Sequence, residues 1–317
     1  MLRLTAKIEI KSAKTWEFEK ITSCEIVRDM EALTNTCTIT LPRKTKWQGE
    51  TSIPIKRGDE VTVWLGYDDE LQLAFKGYIV SKGFKAPIVI KCEDEMFKYK
   101  QTEAVKKAYT SVSLKTLLDD QPIECKVNVL GEQNIGQYRV NCNTVAELLG
   151  HLKENNIRTF FRLEDGKPVL YCGVMFDHDT GLRQVFETGV NIISDSSLEE
   201  QKAEDVKIKL KVVSMMPNNK DKIKVEVGDN GGERRTLHCY NKTEAEAKAW
   251  GEQELARLKR DGLTGSFTTF GAVLLDVLDV IKIDGEKKGK YQVQKNVIKY
   301  STGGFRQEIT LGARMAE

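Results

Sequence analysis

The chain has 317 residues, 40% apolar and 30% charged, which is enough for two or three domains with a sizeable core and excludes a polypeptide disordered throughout. Its 49 Lys and Arg are interspersed with 47 Asp and Glu for a formal charge of +2, too near neutral to argue for sequence recognition of a nucleic acid. No window approaches eighteen uncharged apolar residues, so no membrane insertion is expected.

The first hundred residues read as β. Leu4, Ala6, Ile8 and Ile10 alternate with Thr5, Lys7 and Glu9; Cys37, Ile39 and Leu41 alternate with Thr36, Thr38 and Thr40 until Pro42; Val61, Val63 and Leu65 alternate with Thr62 and Trp64. Period two with one polar face predicts half-buried antiparallel sheet. Between Glu95 and about Val112 the alternation dissolves into polar residues, which marks a boundary. An α/β texture follows: a short helix over Ser113 to Asp120, a strand over Cys125 to Leu130, and a helix from about Thr144 to Asn155 with Val145, Leu148, Leu149 and Leu152 on one face. Thr159 to Leu163 and Pro168 to Cys172 form a hairpin whose Asp165-Gly166 supplies the positive φ of a tight turn.

A polar crossing segment, Val190 to Glu200, leads to renewed alternation: Val206, Ile208, Leu210 and Val212 against Lys207, Lys209 and Lys211, then Ile223, Val225 and Val227 against Lys222, Lys224 and Glu226. Thr243 to Glu246 is a capping box that opens a helix ending at Gly262, with Ala247, Trp250, Gly251, Leu255 and Leu258 on its apolar stripe and Lys259 and Arg260 at the negative end of its dipole.

The last forty residues restate a stretch near the start. Gly58 to Val63, Gly77 to Lys82 and Ile88 to Ile90 return, weakened, as Leu278 to Ile283, Lys290 to Lys295 and Glu308 to Leu311. The order in both is strand, turn, strand carrying a Tyr, turn, strand. Val61, Tyr78 and Ile90 are expected to be equivalent to Ile281, Tyr291 and Ile309.

Residue types that carry chemistry are scattered. Three histidines, His151, His178 and His238, do not readily supply a metal site, and the adjacent side chains of Asp177-His178-Asp179 point to opposite faces of an extended segment. His238-Cys239 reads as strand core rather than as a thiol nucleophile, and Gly228 to Gly232 reads as a hairpin tip rather than a phosphate cradle, because no helix follows it directly. Trp16, Trp47 and Trp64 read as core or interface packing, and the Lys207, Lys209, Lys211 row as a solvated face or the lining of a lumen. Seven Cys without a CxxC, behind a start that lacks a continuous apolar core, point to free thiols packed as small core residues in a reducing compartment. No residue is assigned as catalytic, cofactor-binding or metal-ligating.

In its order of elements the chain resembles the baseplate hub proteins of phage tails, the late control protein D family, which shares its fold with the front part of VgrG-type spikes. The residues that carry the resemblance are Val190 to Glu200, Thr243 to Gly262 and Leu278 to Leu311; Leu278 departs from it, standing where the family usually has Gly before the Asp. The resemblance implies a β-rich multidomain α+β fold, with two similar antiparallel β-barrel-like tube domains flanking a small α/β domain. The boundaries expected are 1–100 for the first tube domain, 101–202 for the α/β insert and crossing segment, and 203–317 for the second tube domain with the helix 243–261 inserted.

The function it implies is that of a structural, non-enzymatic hub subunit, without cofactor, whose homotrimer ring joins the six-fold tail tube protein to the three-fold central spike protein. Such a subunit would reside in the virion tail and assemble in the bacterial cytoplasm. Two other classes compete: a tail-associated cell-wall or polysaccharide hydrolase using a carboxylate pair, and a free-standing β-rich carbohydrate- or nucleic-acid-binding module.

Overall fold

The computed structural model describes residues 3–45, 47, 53–131, 134–154, 157–173, 179–215, 222–285 and 288–315. Seven strands build the first barrel-like unit: β1 (Leu4–Lys11), β2 (Thr15–Phe18), β3 (Ser23–Asp29), β4 (Thr36–Thr40), β5 (Glu60–Tyr67), β6 (Glu70–Lys82) and β7 (Val89–Glu93). They lie in the order β2-β1-β5-β6-β7-β4-β3, every pair antiparallel. The alternation seen in the sequence is the in-and-out of the pleat: Ala6, Ile8, Ile10, Val61, Val63, Leu65, Cys37 and Ile39 are buried in one core. Trp16 and Phe18 each meet Trp47 edge-on at 5.2 Å and pack, half buried, against that core.

The insert begins with α1 (Met96–Tyr99) and continues through β8 (Ala108–Ser113), α2 (Leu114–Asp119), β9 (Lys126–Leu130), β10 (Asn134–Arg139), α3 (Val145–Glu154), β11 (Arg158–Glu164) and β12 (Lys167–Gly173). Ser113 caps α2 by accepting the amide of Thr116 at 3.1 Å. The apolar face of α3 (Val145, Leu148, Leu149, Leu152) is fully buried with Leu114, Leu117, Phe161 and Leu170. β11 and β12 form the expected hairpin, with Asp165 at φ 48° and Gly166 at φ 73°, and β9 joins β12 in parallel.

The segment expected only to cross the molecule is itself built of sheet. β13 (Leu182–Glu187) and β14 (Ile192–Gln201) pair with strands from the C-terminal part. Conversely, the alternating stretch after 203 leaves the second barrel: β15 (Ile208–Met215), β16 (Lys222–Gly228) and β17 (Glu233–Tyr240) make a separate three-stranded sheet in the order β16-β15-β17. α4 (Glu244–Leu258) lies on its apolar face, over Val212, Val225 and Val227, so this sheet buries its hydrophobic side without a barrel. The capping box of α4 is formed, with the Thr243 N–H donating to Glu246 Oε2 at 2.8 Å. Gly251 sits so close to the sheet that an added Cβ would lie 2.7 Å from Val212, and Trp250 is half buried beside it.

β18 (Gly262–Phe270), β19 (Val280–Asp284), β20 (Gly289–Ser301) and β21 (Gly304–Met315) complete the chain. With β13 and β14 they form the second barrel-like unit around Phe186, Phe267, Ile281, Tyr291, Val293 and Ile309. The two units are one continuous thirteen-stranded sheet, because β3 of the first pairs antiparallel with β20 of the second, from Lys295↔Asp29 to Ser301↔Ser23.

The repeat is visible hydrogen bond by hydrogen bond. Gly58 N–H donates to the Ile79 carbonyl and Ile79 N–H to that of Asp59, at 2.8 and 2.9 Å; Leu278 N–H donates to Val293 and Val293 N–H to Asp279, at 2.9 and 2.8 Å. Both copies carry a bulge two residues later, between Ile79 and Ser81 and between Val293 and Lys295. Val61 therefore corresponds to Ile281 and Ile90 to Ile309, as expected. Tyr78 does not correspond to Tyr291: Val61 faces Gly77 and Ile281 faces Tyr291, so Gly77 and Tyr291 are equivalent and Tyr78 matches Gln292. A Tyr one residue out of step looks aligned in sequence, but pairing partners fix the register.

Candidate assembly surface

The turn that opens each repeat is held by its aspartate. Lys56 N–H donates to Asp59 Oδ2 at 2.7 Å, and Asp276 N–H to Asp279 Oδ2 at 2.8 Å. In the second copy this turn lies against the insert, and Arg162 reaches Asp279 at 2.6 Å. Burial raises the Asp279 carboxyl above its usual range, and the facing Arg162 acts against that rise. Leu278 adopts φ 69° where Gly58 has φ 89°, a conformation unfavourable for a side chain. It is kept there by packing, since Leu278 is fully buried with Met30, Leu130, Phe160, Val169 and Tyr171. Leu278→Gly should thus relieve about 1–2 kcal/mol of backbone strain but forfeit about 2–5 kcal/mol of packing. A net loss of up to about 4 kcal/mol is expected in urea unfolding; a variant clearly more stable than the parent would contradict it.

At the junction of the two units, β3 seals β20. Ile26 stands opposite Ile298, and Ile298, Tyr300 and Phe305 of the second repeat are built into the core of the first. Arg28 on β3 donates to the Leu275 carbonyl at 2.9 Å and pairs with Asp276 at 3.3 Å, both partners being nearly buried.

The second unit also has a strand in the place of β3. Thr38 faces Lys91 as Ser266 faces Thr310, and across β4 and β18 their other neighbours are Glu25 and Ser197. β14 is therefore the counterpart of β3. Among the described residues no strand lies along its outer edge. Around it Val185, Ile193, Phe270 and Val273 are exposed, Val190 by 69%. Phe186, Asn191, Phe270 and Val273 line an apolar groove of about 310 Å³. An unpaired edge beside exposed apolar side chains is a mating surface or an aggregation hazard.

The residues weighed for chemistry do not converge. Asp177 and His178 lie outside the described residues, and Asp179 accepts the amide of Gly181. His238 and Cys239 lie on β17; burial lowers the imidazole's pKa and raises the thiol's. Gly228 to Gly232 is not a hairpin tip, because β16 and β17 flank β15 and the loop crosses the end of that strand. Its Asp229 holds Lys259 at 2.7 Å. Lys207, Lys209 and Lys211 stand on the face of β15 away from α4, Lys209 pairing with Glu226 at 2.9 Å, so they line no barrel. The sequence reading missed one pair: Cys142 Sγ lies 3.2 Å from His151 Nδ1 across the start of α3. Burial raises that thiol, the opposite of nucleophile activation. Among the described residues no three His, Cys, Asp or Glu side chains converge as metal ligands, and no helix is long and apolar enough to cross a membrane.

No family model and no curated protein matches the sequence. Solved structures do match, over nearly the whole chain. The 43 kDa tail protein of prophage MuSo2 from Shewanella oneidensis superposes with a TM-score of 0.61 at 18% identity, covering 96% of this chain and 97% of that one. The tail protein from Neisseria meningitidis MC58 gives a TM-score of 0.66 at 12% identity, with coverage of 98% and 96%. The chain has the fold of prophage tail proteins. A third structure, the Escherichia coli c3393 protein, described as a component of the type VI secretion system, gives a TM-score of 0.55 at 10% identity, covering 93% of this chain and 73% of that one. The prophage tail proteins and the secretion-system component thus share one architecture with this chain, β-rich and multidomain, as the resemblance in sequence implied.

Proposed function

We propose that the chain is a structural baseplate hub subunit of a phage tail or contractile injection machine, forming a trimeric ring that joins a six-fold tube to a three-fold spike. The observation that carries this reading is the duplication, in which the second unit's counterpart of β3 is left as an edge strand among the described residues. A subunit with two equivalent β units offers six nearly equivalent modules when three copies close a ring, and three copies of everything else. Such a contact is heterologous, each subunit presenting one unit to its neighbour's other unit, and it terminates only if the rotation closes. The fold shared with tail proteins and a secretion-system component supports the same reading.

The buried and nearly buried carboxylates also support a structural role over a wall hydrolase: Asp94 accepts the Met96 amide at the entry to α1, Asp276 holds the junction of the two units through Arg28, and Asp279 ties the second unit to the insert through Arg162. A glycosidase would instead need two carboxylates flanking a cleft wide enough for a sugar. The test is the mass of the chain in solution with imaging of the particles, alone and together with tube and spike proteins. Three chains per particle, in rings about as wide as a tail tube and without hydrolysis of peptidoglycan, is the expected result. A stable dimer, or wall hydrolysis lost on replacing one carboxylate, would overturn the proposal.

A further inference from the structure

Resting on that ring reading, we propose that the outer edge of β14 is completed by the β6–β7 hairpin of a second copy of this chain. Phe84 of one copy enters the open end of the other's second barrel, and Lys56 faces Glu200 across the contact. The argument comes from the contact the chain already makes with itself. Within one chain, the first repeat's β3 seals the second repeat's β20. β14 is the counterpart of β3 and β6 that of β20; the stretch of β20 that β3 covers, Lys295 to Ser301, corresponds to Ser81 to Pro87, the end of β6 and the turn into β7, so the same contact made between copies sets β14 against that hairpin end.

The hydrogen bonds that define the repeat fix the register of that pairing. The shared bulge equates Ser81 with Lys295, the pairing continues to Gly83, and counting one residue further puts Phe84 at the position of Ile298. Glu25 corresponds to Ser197, which places Leu198 at the position of Ile26 and Glu200 at that of Arg28. Since Ile26 faces Ile298, Leu198 would face Phe84 of the second copy. Lys56 corresponds to Asp276, each donating its amide to the aspartate of the repeat turn.

Two properties of these positions are those of an interface. Ile298 is 0% exposed under β3, whereas Phe84 is 85% exposed, a large aromatic facing solvent. At the level of β14 that Phe84 would face, the half-buried Leu198 and Leu263 at the margin of the second core offer apolar cover of that kind. The charges agree as well. Inside the chain the pair is Arg28 with Asp276; between copies the same two positions hold Glu200 and Lys56, again opposite in sign but reversed. The reversal also gives specificity, because a wrongly docked copy would set like charges against each other: Arg28 against Lys56, or Glu200 against Asp276.

A charge-exchange experiment tests the contact, using the full chain in whichever preparation holds the ring. Lys56, Phe84 and Glu200 are all exposed, so their variants should unfold at the parent's temperature. Phe84→Asp, Lys56→Glu and Glu200→Lys should each weaken ring formation by about tenfold or more, and the double variant Lys56→Glu/Glu200→Lys should recover it. A photo-crosslinking residue at position 84 should label the 197–200 segment of another copy. A ring indifferent to the single variants, a double variant no better than either single, or a crosslink elsewhere would overturn this contact and leave the hub reading standing. A chain that forms no ring in any preparation would overturn both.

Discussion

Truncating Phe305 to Ala should cost about 3–5 kcal/mol, the range for emptying a large buried site, and the loss should appear in the unfolding of the first barrel although Phe305 belongs to the second repeat. Its ring is fully buried in the core of the first barrel, 5.5 Å from Tyr67 of that barrel and 5.6 Å from Tyr300 of its own repeat. Gly271 makes room for it, since a Cβ there would sit 2.4 Å from the ring. Tyr67 also donates its hydroxyl proton to the Phe305 carbonyl at 2.8 Å, so side chain and backbone both tie the repeats together. Trp16, Trp47 and Trp64 all belong to the first unit and report on it by fluorescence during denaturation. A loss below about 1 kcal/mol would mean that the site collapses onto the missing ring and that the two units are not joined through this core.

The second large effect is a dependence on pH carried by Asp94. Its carboxylate accepts the amides of Asn35 at 2.8 Å and Met96 at 3.1 Å, where the first barrel meets the insert. Burial raises its pKa from 3.8 to about 7, against the lowering effect of those two amides. The sign follows from which state holds the proton longer. Below about pH 4 the carboxyl is protonated folded and unfolded alike; as pH rises the unfolded chain releases its proton first, while the folded chain keeps it until about pH 7. Stability due to this group is therefore full at low pH and lost between about pH 4 and 7. The loss is on the order of 4 kcal/mol for a shift of roughly three units. Asp279, also raised by burial, acts in the same direction. Urea midpoints at pH 5 and pH 8 should fall for the parent and fall much less for Asp94→Asn. Comparing slopes removes any constant cost of the substitution, and equal slopes would show that Asp94 ionises in the folded protein as it does in water.

Several elements were legible from local pattern. Strands with one wet face declare themselves by alternation, the capping box declares the start of α4, and Asp165-Gly166 declares its turn, because each depends on interactions within a few residues. The duplication was legible for the same reason: a strand pair carries its turn aspartate and its inward residues with it, so Asp59 and Asp279 recur at matching distances from Val61 and Ile281.

What covers each strand's apolar face was decided only in three dimensions. The stretch 206–227 alternates as a barrel strand would, yet α4 takes its apolar side, and nothing in the alternation distinguishes a helix from a second layer of sheet. The reverse holds at 190–200, where polar residues conceal β14, because an edge strand with one neighbour needs few apolar side chains. Leu278 is the sharpest case: local preference asks for Gly at that φ, and only its packing between Met30, Phe160 and Tyr171 explains a leucine. Phe84, Lys56 and Glu200 carry no local signal at all. Short-range physics thus determined the strands, the helix and the repeat from the sequence by itself. The partition of strands among sheets, and the edge left open, were decided by burial between residues far apart in sequence, such as Arg28 with Leu275 and Tyr67 with Phe305, a choice that no local periodicity encodes.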